Sequence, residues 1–344
     1  MRTIDWTENA IRIIDQTALP NDVRVLTLDT IDALVDAIGR LAIRGAPALG
    51  AAGALGVALS VVLFDGDQDR VRSAARLIRD ARPTAVNLAW GVDRALGVLD
   101  NGVAAVVAEA LAVLSEDALT NRRIGRRGAE LITELGLHQV SALTHCNTGA
   151  LACVEWGTAL GILRQLQEDG RLRHVIATET RPLLQGARLT TWELAEIGVE
   201  HHLIVDSAAA WALTNHLADL VVVGADRIAA NGDVANKIGT LAIALAAADA
   251  GVPFIVAAPE STIDQNTPQG GSIVIEYRND DEVTSWRGIS TAPAGTPALN
   301  PAFDVTPARL ITAIVTESRV FRPAETAPAG TRSRSVEGGQ SPTA

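Results

Sequence analysis

The chain has 344 residues, of which 48% are hydrophobic, and 40 acidic against 29 basic residues leave a formal net charge of −11. That is ordinary globular composition, long enough for two domains, and its acidity speaks against a broad nucleic-acid or anionic-membrane surface. Two cysteines, Cys146 and Cys153, are too few for a disulfide scaffold and point to a reducing, cytoplasmic setting.

The opening Met1-Arg2-Thr3-Ile4-Asp5-Trp6 carries charges where a secretory signal would be apolar. Residues 11–15 and 23–28 alternate with period two around a Leu19-Pro20-Asn21-Asp22 turn, which predicts two strands. Thr30 stands before a helical stripe of Ile31, Leu34, Val35 and Ile38, as an N-cap would. Alanine-rich helices are expected from there to about residue 136, with breaks near residues 65–69 and at Asn101-Gly102. Residues 46–64 carry no charge, close to the ~20 apolar residues a membrane span needs. Pro47 and the glycines Gly50, Gly53 and Gly56 favour a buried, closely packed core helix instead.

After residue 137 the pattern changes. Apolar runs at 140–143, 175–177, 203–205, 220–223 and 253–257 alternate with helical segments, and polar clusters follow the first four. Strands alternating with helices predict an α/β fold with a Rossmann-like, doubly wound parallel sheet, which binds ligands beyond the carboxyl ends of its strands. The expected organisation is an N-terminal β-hairpin and helical domain (1–136), a Rossmann-like catalytic domain (137–321) and a disordered tail (322–344) rich in Pro, Gly, Ser and Thr.

Chemistry-bearing residues fall where that sheet would place a ligand. Cys146 follows the first of these strands, ahead of a helix expected from Ala150, whose dipole would stabilise a thiolate. A buried structural cysteine is the alternative, and Cys153, inside the same expected helix, is read that way. Seven helical residues rise ~10 Å, too far for the Cα separation of a bridge. Asp226 follows the most apolar strand, where desolvation would raise its pKa toward that of a general acid; a helix cap or a partner for Arg227 is the alternative. Lys237 is the sole lysine, placed at an expected helix start suited to anions. Arg44-Gly45-Ala46-Pro47 and Arg82-Pro83-Thr84 put arginines at helix starts, and Gln185 follows a strand end. No metal-spaced His/Cys cluster, GxGxxG or Walker motif is present.

Taken together, Arg44-Gly45-Ala46-Pro47-Ala48-Leu49-Gly50, Arg82-Pro83-Thr84-Ala85-Val86-Asn87-Leu88, Thr144-His145-Cys146-Asn147-Thr148-Gly149, Gln185-Gly186-Ala187-Arg188, Gly224-Ala225-Asp226-Arg227 and Asn236-Lys237-Ile238-Gly239 resemble the S-methyl-5-thioribose-1-phosphate isomerase family. That family is homologous to the regulatory subunits of a translation-initiation exchange factor. The resemblance implies a cytoplasmic, homodimeric aldose–ketose isomerase of methionine salvage, working on a small sugar phosphate with no cofactor, metal, nucleic acid or membrane. It implies Cys146 and Asp226 as the catalytic pair. Arg44, Gly45, Ala46, Arg82, Gln185, Asn236 and Lys237 are the implied substrate contacts. Ile273-Val274-Ile275-Glu276-Tyr277-Arg278 and Cys153-Val154-Glu155-Trp156 depart from the family's pattern and leave substrate side-chain preference open. An isomerase of another 1-phosphorylated pentose, or a non-catalytic subunit with a sugar-phosphate pocket, are the alternatives.

Overall fold

A computed structural model describes residues 2–83 and 85–323, so the expected tail lies, past its first two residues, outside the described part. A three-stranded antiparallel sheet opens the chain, in the order β1 (Ile4–Thr7), β2 (Ala10–Ile14), β3 (Val25–Leu28). Of its strands, β1 is not among those expected, because it offers only four residues of alternation. Five helices follow: α1 (Ile31–Gly39), α2 (Ala46–Leu63), α3 (Gln68–Asp80), α4 (Val86–Leu96) and α5 (Val103–Glu134). Thr30 caps α1 as expected, its Oγ1 accepting from the Ala33 N–H at 3.3 Å.

Among the described residues α2 alone is long and apolar enough to cross a membrane, yet 78% of it is buried inside the fold. Its glycines explain how an apolar helix can be enclosed on several sides. Gly50 and Gly53 lie against α4, where a Cβ on Gly53 would stand 2.5 Å from the Leu88 carbonyl oxygen. Gly56 meets Leu34 of α1 and Ile78 of α3 instead, since three residues turn a helix by less than a full revolution.

The second half contains β4 (Val140–Thr144), α6 (Ala159–Glu168), β5 (Leu172–Thr178), α7 (Thr191–Glu196), β6 (His201–Ile204), α8 (Ala209–Thr214) and β7 (Leu220–Val223). Then come β8 (Arg227–Ala229), β9 (Val234–Lys237), α9 (Thr240–Ala250), β10 (Phe254–Ala257), β11 (Ile263–Asp264), α10 (Asp281–Thr284), β12 (Ser285–Trp286), β13 (Ile289–Ser290), β14 (Phe303–Thr306), β15 (Ala313–Val315) and β16 (Val320–Phe321). The main sheet runs β6-β5-β4-β7-β10-β15-β16, parallel except for the edge strand β16. All five expected strands are in it, and β15 and β16 extend it. Alternate side chains serve its two faces: Leu220 and Val222 join the cluster under α5 and α6, while Val221 and Val223 join the cluster with α8 and α9.

Two further features position the site. A smaller sheet, β11-β8-β9-β14, is inserted after β7. The long helix α5 contributes Val106, Ala110 and Leu114 to the N-terminal core and Ile124, Leu131 and Ile132 to the sheet core, tying the halves together.

The close α2–α4 contact sets a stability test. Gly53→Ala should cost about 3 kcal/mol, the upper range of overpacking, in urea denaturation. Gly39→Ala, in a helix with no atom near the added methyl, should leave stability unchanged or slightly raised.

Candidate active site

The order of strands reverses between β4 and β7, which are direct neighbours, with Ala142 paired to Leu220 and Leu143 to Val221. The chain leaves β4 into Cys146 and leaves β7 into Asp226, so both residues fall in the crevice such a reversal opens. An inner cavity of about 430 Å³ is lined by Arg44, Cys146, Asn147, Asp226 and Asn236 among others. It adjoins an outer cleft of about 680 Å³ lined by Arg82, Val86, Ile273, Glu276 and Phe303 among others. Gly45, Ala46 and Asp226 border both spaces.

Cys146 is buried with 8% of its surface exposed and takes a positive φ of 66°. Its N–H donates to Thr180 Oγ1 at 2.9 Å, and its carbonyl accepts from Thr190 Oγ1. No α-helix starts at Ala150. A single 3-10 turn covers Ala150–Ala152 and α6 begins only at Ala159, after Trp156 and Gly157 both adopt positive φ. The expectation of a helix dipole at the thiol therefore does not hold, and Cys153 lies past that turn, not inside a helix. Both thiols are free, so the helical-rise argument against a bridge also loses its basis. Burial pushes the Cys146 thiol up, and the charges of Arg44 and Lys237 oppose that rise.

The second corrected position is Lys237, which ends β9 and precedes the Gly239 cap of α9 instead of opening a helix. Its Nζ donates to the Ala302 carbonyl at 2.9 Å and sits 4.8 Å from the Phe303 ring centre. Asn236, next to it on β9, is buried, and its Nδ2 donates to Thr240 Oγ1 at 3.0 Å.

Asp226 is tied to β9 through its N–H, which donates to the Ala235 carbonyl at 3.0 Å. It is exposed where the inner cavity and the outer cleft adjoin. Protein atoms crowd its carboxyl from the other directions, and this desolvation raises its pKa against the opposing charges of Lys237, Arg44 and Arg82. Arg227 turns away to Asp264 at 3.7 Å and is not the partner of Asp226.

The N-terminus of α2 faces the same space. Gly45, its cap, holds a φ of 97°, and a Cβ there would stand 2.4 Å from the Ala152 carbonyl oxygen. Only glycine lets the first turn of this 18-residue helix approach the Cys146 loop, presenting unpaired N–H groups and Arg44 to the cavity. Arg82 lies between α3 and α4, 3.7 Å from Glu276. Gln185 is buried with its Oε1 unpartnered, and it lines neither space.

Some residues of the site escaped the sequence analysis. Ile273, Val274 and Glu276, in the departing segment, line the outer cleft beside Asp226, and Cys153 lines the inner cavity with Cys146. His145 is neutral: burial lowers its pKa, its Nε2 donates to the Ile238 carbonyl at 2.8 Å, and its Nδ1 accepts from Thr178 Oγ1 at 2.6 Å. Its bonds run to these two partners and not to the neighbouring thiol. Among the described residues no three His, Cys, Asp or Glu side chains converge as a metal would require.

A buried neutral thiol has a chemical signature. Iodoacetamide should alkylate Cys146 at pH 7 about tenfold more slowly than free cysteine, accelerating above pH 9, as followed by peptide mass mapping.

The chain matches the Initiation factor 2 subunit family over residues 42–323. It is 53% identical over 342 residues to a probable bifunctional methylthioribose-1-phosphate isomerase/methylthioribulose-1-phosphate dehydratase of Nocardia farcinica, covering 96% of this chain and 62% of that protein. This chain thus spans less than two thirds of that relative's length. A methylthioribose-1-phosphate isomerase of Anaeromyxobacter sp. strain K is 52% identical over 318 residues, 92% of each chain. Among solved structures, 5-methylthioribose 1-phosphate isomerase from Pyrococcus horikoshii superposes with a TM-score of 0.88 at 39% identity, covering 94% of this chain and 93% of that one. Translation initiation factor eIF-2B subunit delta from A. fulgidus gives 0.84 at 41% identity, covering 94% and 96%.

Proposed function

The chain belongs to the methylthioribose-1-phosphate isomerases of the Initiation factor 2 subunit family, and from that premise we propose that it converts S-methyl-5-thio-α-D-ribose 1-phosphate into S-methyl-5-thio-D-ribulose 1-phosphate in methionine salvage. The observation that carries this reading is one cavity lined by both a buried thiol and a carboxyl, beside a helix N-terminus and an arginine.

The anomeric oxygen of this substrate carries the phosphate, so the ring cannot open spontaneously as a free sugar does. Asp226 donates a proton to the ring oxygen as the bond from C1 to that oxygen breaks. The minor thiolate form of Cys146, favoured by the charges of Arg44 and Lys237 against the effect of burial, takes the proton from C2 to give an enol-like phosphate ester. It returns that proton to C1 while the C2 hydroxyl proton restores Asp226, so the ketose forms with no net loss of atoms or electrons. Arg44, Lys237 and the backbone N–H groups around Gly45 and Ala46 hold the phosphate; Asn236 orients hydroxyls, and Arg82 guards the outer end.

The outer cleft supports the thio-sugar over a bisphosphate. Leu49, Val86, Ile273, Val274 and Phe303 give it an apolar wall, suited to a methylthio group. Its two arginines already face carboxylates, Arg82 with Glu276 and Arg227 with Asp264, and a second phosphate would need cations without that compensation.

Residues 1–136 and 137–321 are the two units that meet across the cleft, with α5 in the cores of both. The setting is the cytoplasm, and the working form is a homodimer. Exposed Leu203, Val205 and Trp211, at edge strand β6 and α8, fit an interface between two copies. Sedimentation should give twice the chain mass of 36.0 kDa; a monomer would remove the dimer from this reading.

Turnover by the purified chain is the direct test. Ketose should form from S-methyl-5-thioribose 1-phosphate without added metal, and Cys146→Ser and Asp226→Asn should each lower kcat/KM about 10²–10⁴-fold. For the wild type, kcat/KM should fall at high pH with an apparent pKa above the ordinary carboxylate range, as the raised Asp226 loses its proton. Turnover only of ribose 1,5-bisphosphate or 5-deoxyribose 1-phosphate would reassign the substrate. A folded protein inactive on all three would favour a binding subunit.

A further inference from the structure

Behind the Cys146 loop stands a carboxylate that the chemistry above does not use. Glu193, on α7, is buried and accepts from three donors: Asn147 Nδ2 at 2.8 Å, the Ala150 N–H at 2.6 Å and the Leu151 N–H at 3.2 Å. Among the described residues no ion pair reaches it. The loop can come this close because residue 149 is glycine; a Cβ there would lie 2.3 Å from Glu193 Oε2.

Asn147 passes the interaction on. Its Oδ1 accepts from Arg44 Nη1 at 2.8 Å, and its backbone carbonyl accepts from Arg44 Nη2 at 2.7 Å. One residue, adjacent to Cys146, therefore receives both prongs of the guanidinium fork. Donation from its own amide to a carboxylate makes the amide oxygen a stronger acceptor. Two of the five guanidinium N–H groups are used in this way, leaving three for an anion. A long, rotamer-rich side chain is thus ordered before any ligand arrives, which lowers the entropic cost of binding.

We propose that Asn147 and Glu193 are positioning residues that set the Arg44 guanidinium at the phosphate end of the inner cavity. This rests on the isomerase reading for the identity of the anion, while the relay itself rests on the hydrogen bonds above.

A double-mutant cycle tests it. Wild type, Arg44→Ala, Asn147→Ala and the double variant would be compared in turnover of S-methyl-5-thioribose 1-phosphate and in calorimetric binding of inorganic phosphate. Thermal melts would check folding. Asn147→Ala should raise KM and the phosphate Kd about tenfold, the worth of a charge-assisted contact, with kcat changed less than threefold. In the Arg44→Ala background the same substitution should add less than twofold. Glu193→Gln should shift KM in the same direction, and if its melt shows a folding defect, the Asn147 cycle still decides. Equal effects of Asn147→Ala in both backgrounds, or a kcat loss independent of Arg44, would overturn the relay. A wild type that binds phosphate with the expected cycle but turns over none of the sugars would overturn the isomerase reading and leave the relay standing.

Discussion

Two neighbouring parallel strands whose connections depart to opposite sides of a sheet cannot both have their carboxyl ends covered by the same helix layer. In this protein β4 and β7 are that pair, and the gap beyond them is where the inner cavity forms. Cys146 and Asp226 face one space because of that topology, although 80 residues separate them in sequence. The remaining features are arranged around the gap. The inserted sheet brings Asn236 and Lys237 to one side, and α2, held by its glycine contacts with α4, brings Arg44 to the other.

Charge is distributed unevenly along the two joined spaces. At the inner end Arg44 and Lys237 act on the thiol and on Asp226 together. At the outer end each arginine faces a carboxylate at 3.7 Å. One end is electrostatically prepared for an anion and the other is nearly neutral with apolar walls, so an elongated, singly phosphorylated ligand has one favourable direction of entry.

The sequence made the main sheet legible because its strands are continuous apolar runs separated by helical patterns, the usual mark of strands covered on both faces. The N-cap at Thr30 and the enclosed α2 were legible for similarly local reasons. The smaller sheet was not. Ala229-Ala230-Asn231-Gly232-Asp233 contains an Asn-Gly turn signal, but its flanking strands are only three and four residues long. That is why Lys237 was expected on a helix. The loop after Cys146 misled for a different reason. Its composition suits a helix, yet positive φ at Trp156 and Gly157 delays the helix to Ala159, a conformation that tertiary packing selects. Glu193 carried no local signal, since a carboxylate on a short helix becomes informative only when the Gly149 loop folds over it.

The solitary lysine has a consequence for how this protein can be handled. Every other basic residue is an arginine, so the whole sequence holds a single ε-amine, half-buried and bonded to the Ala302 carbonyl over the Phe303 ring. Amine-directed acylation of side chains, which decorates most proteins at many surface points, has one address here. Besides reacting at the chain's α-amine, a fluorophore or an immobilising linker delivered by such chemistry would be drawn to the one lysine beside Phe303, leaving the arginine side chains unmodified.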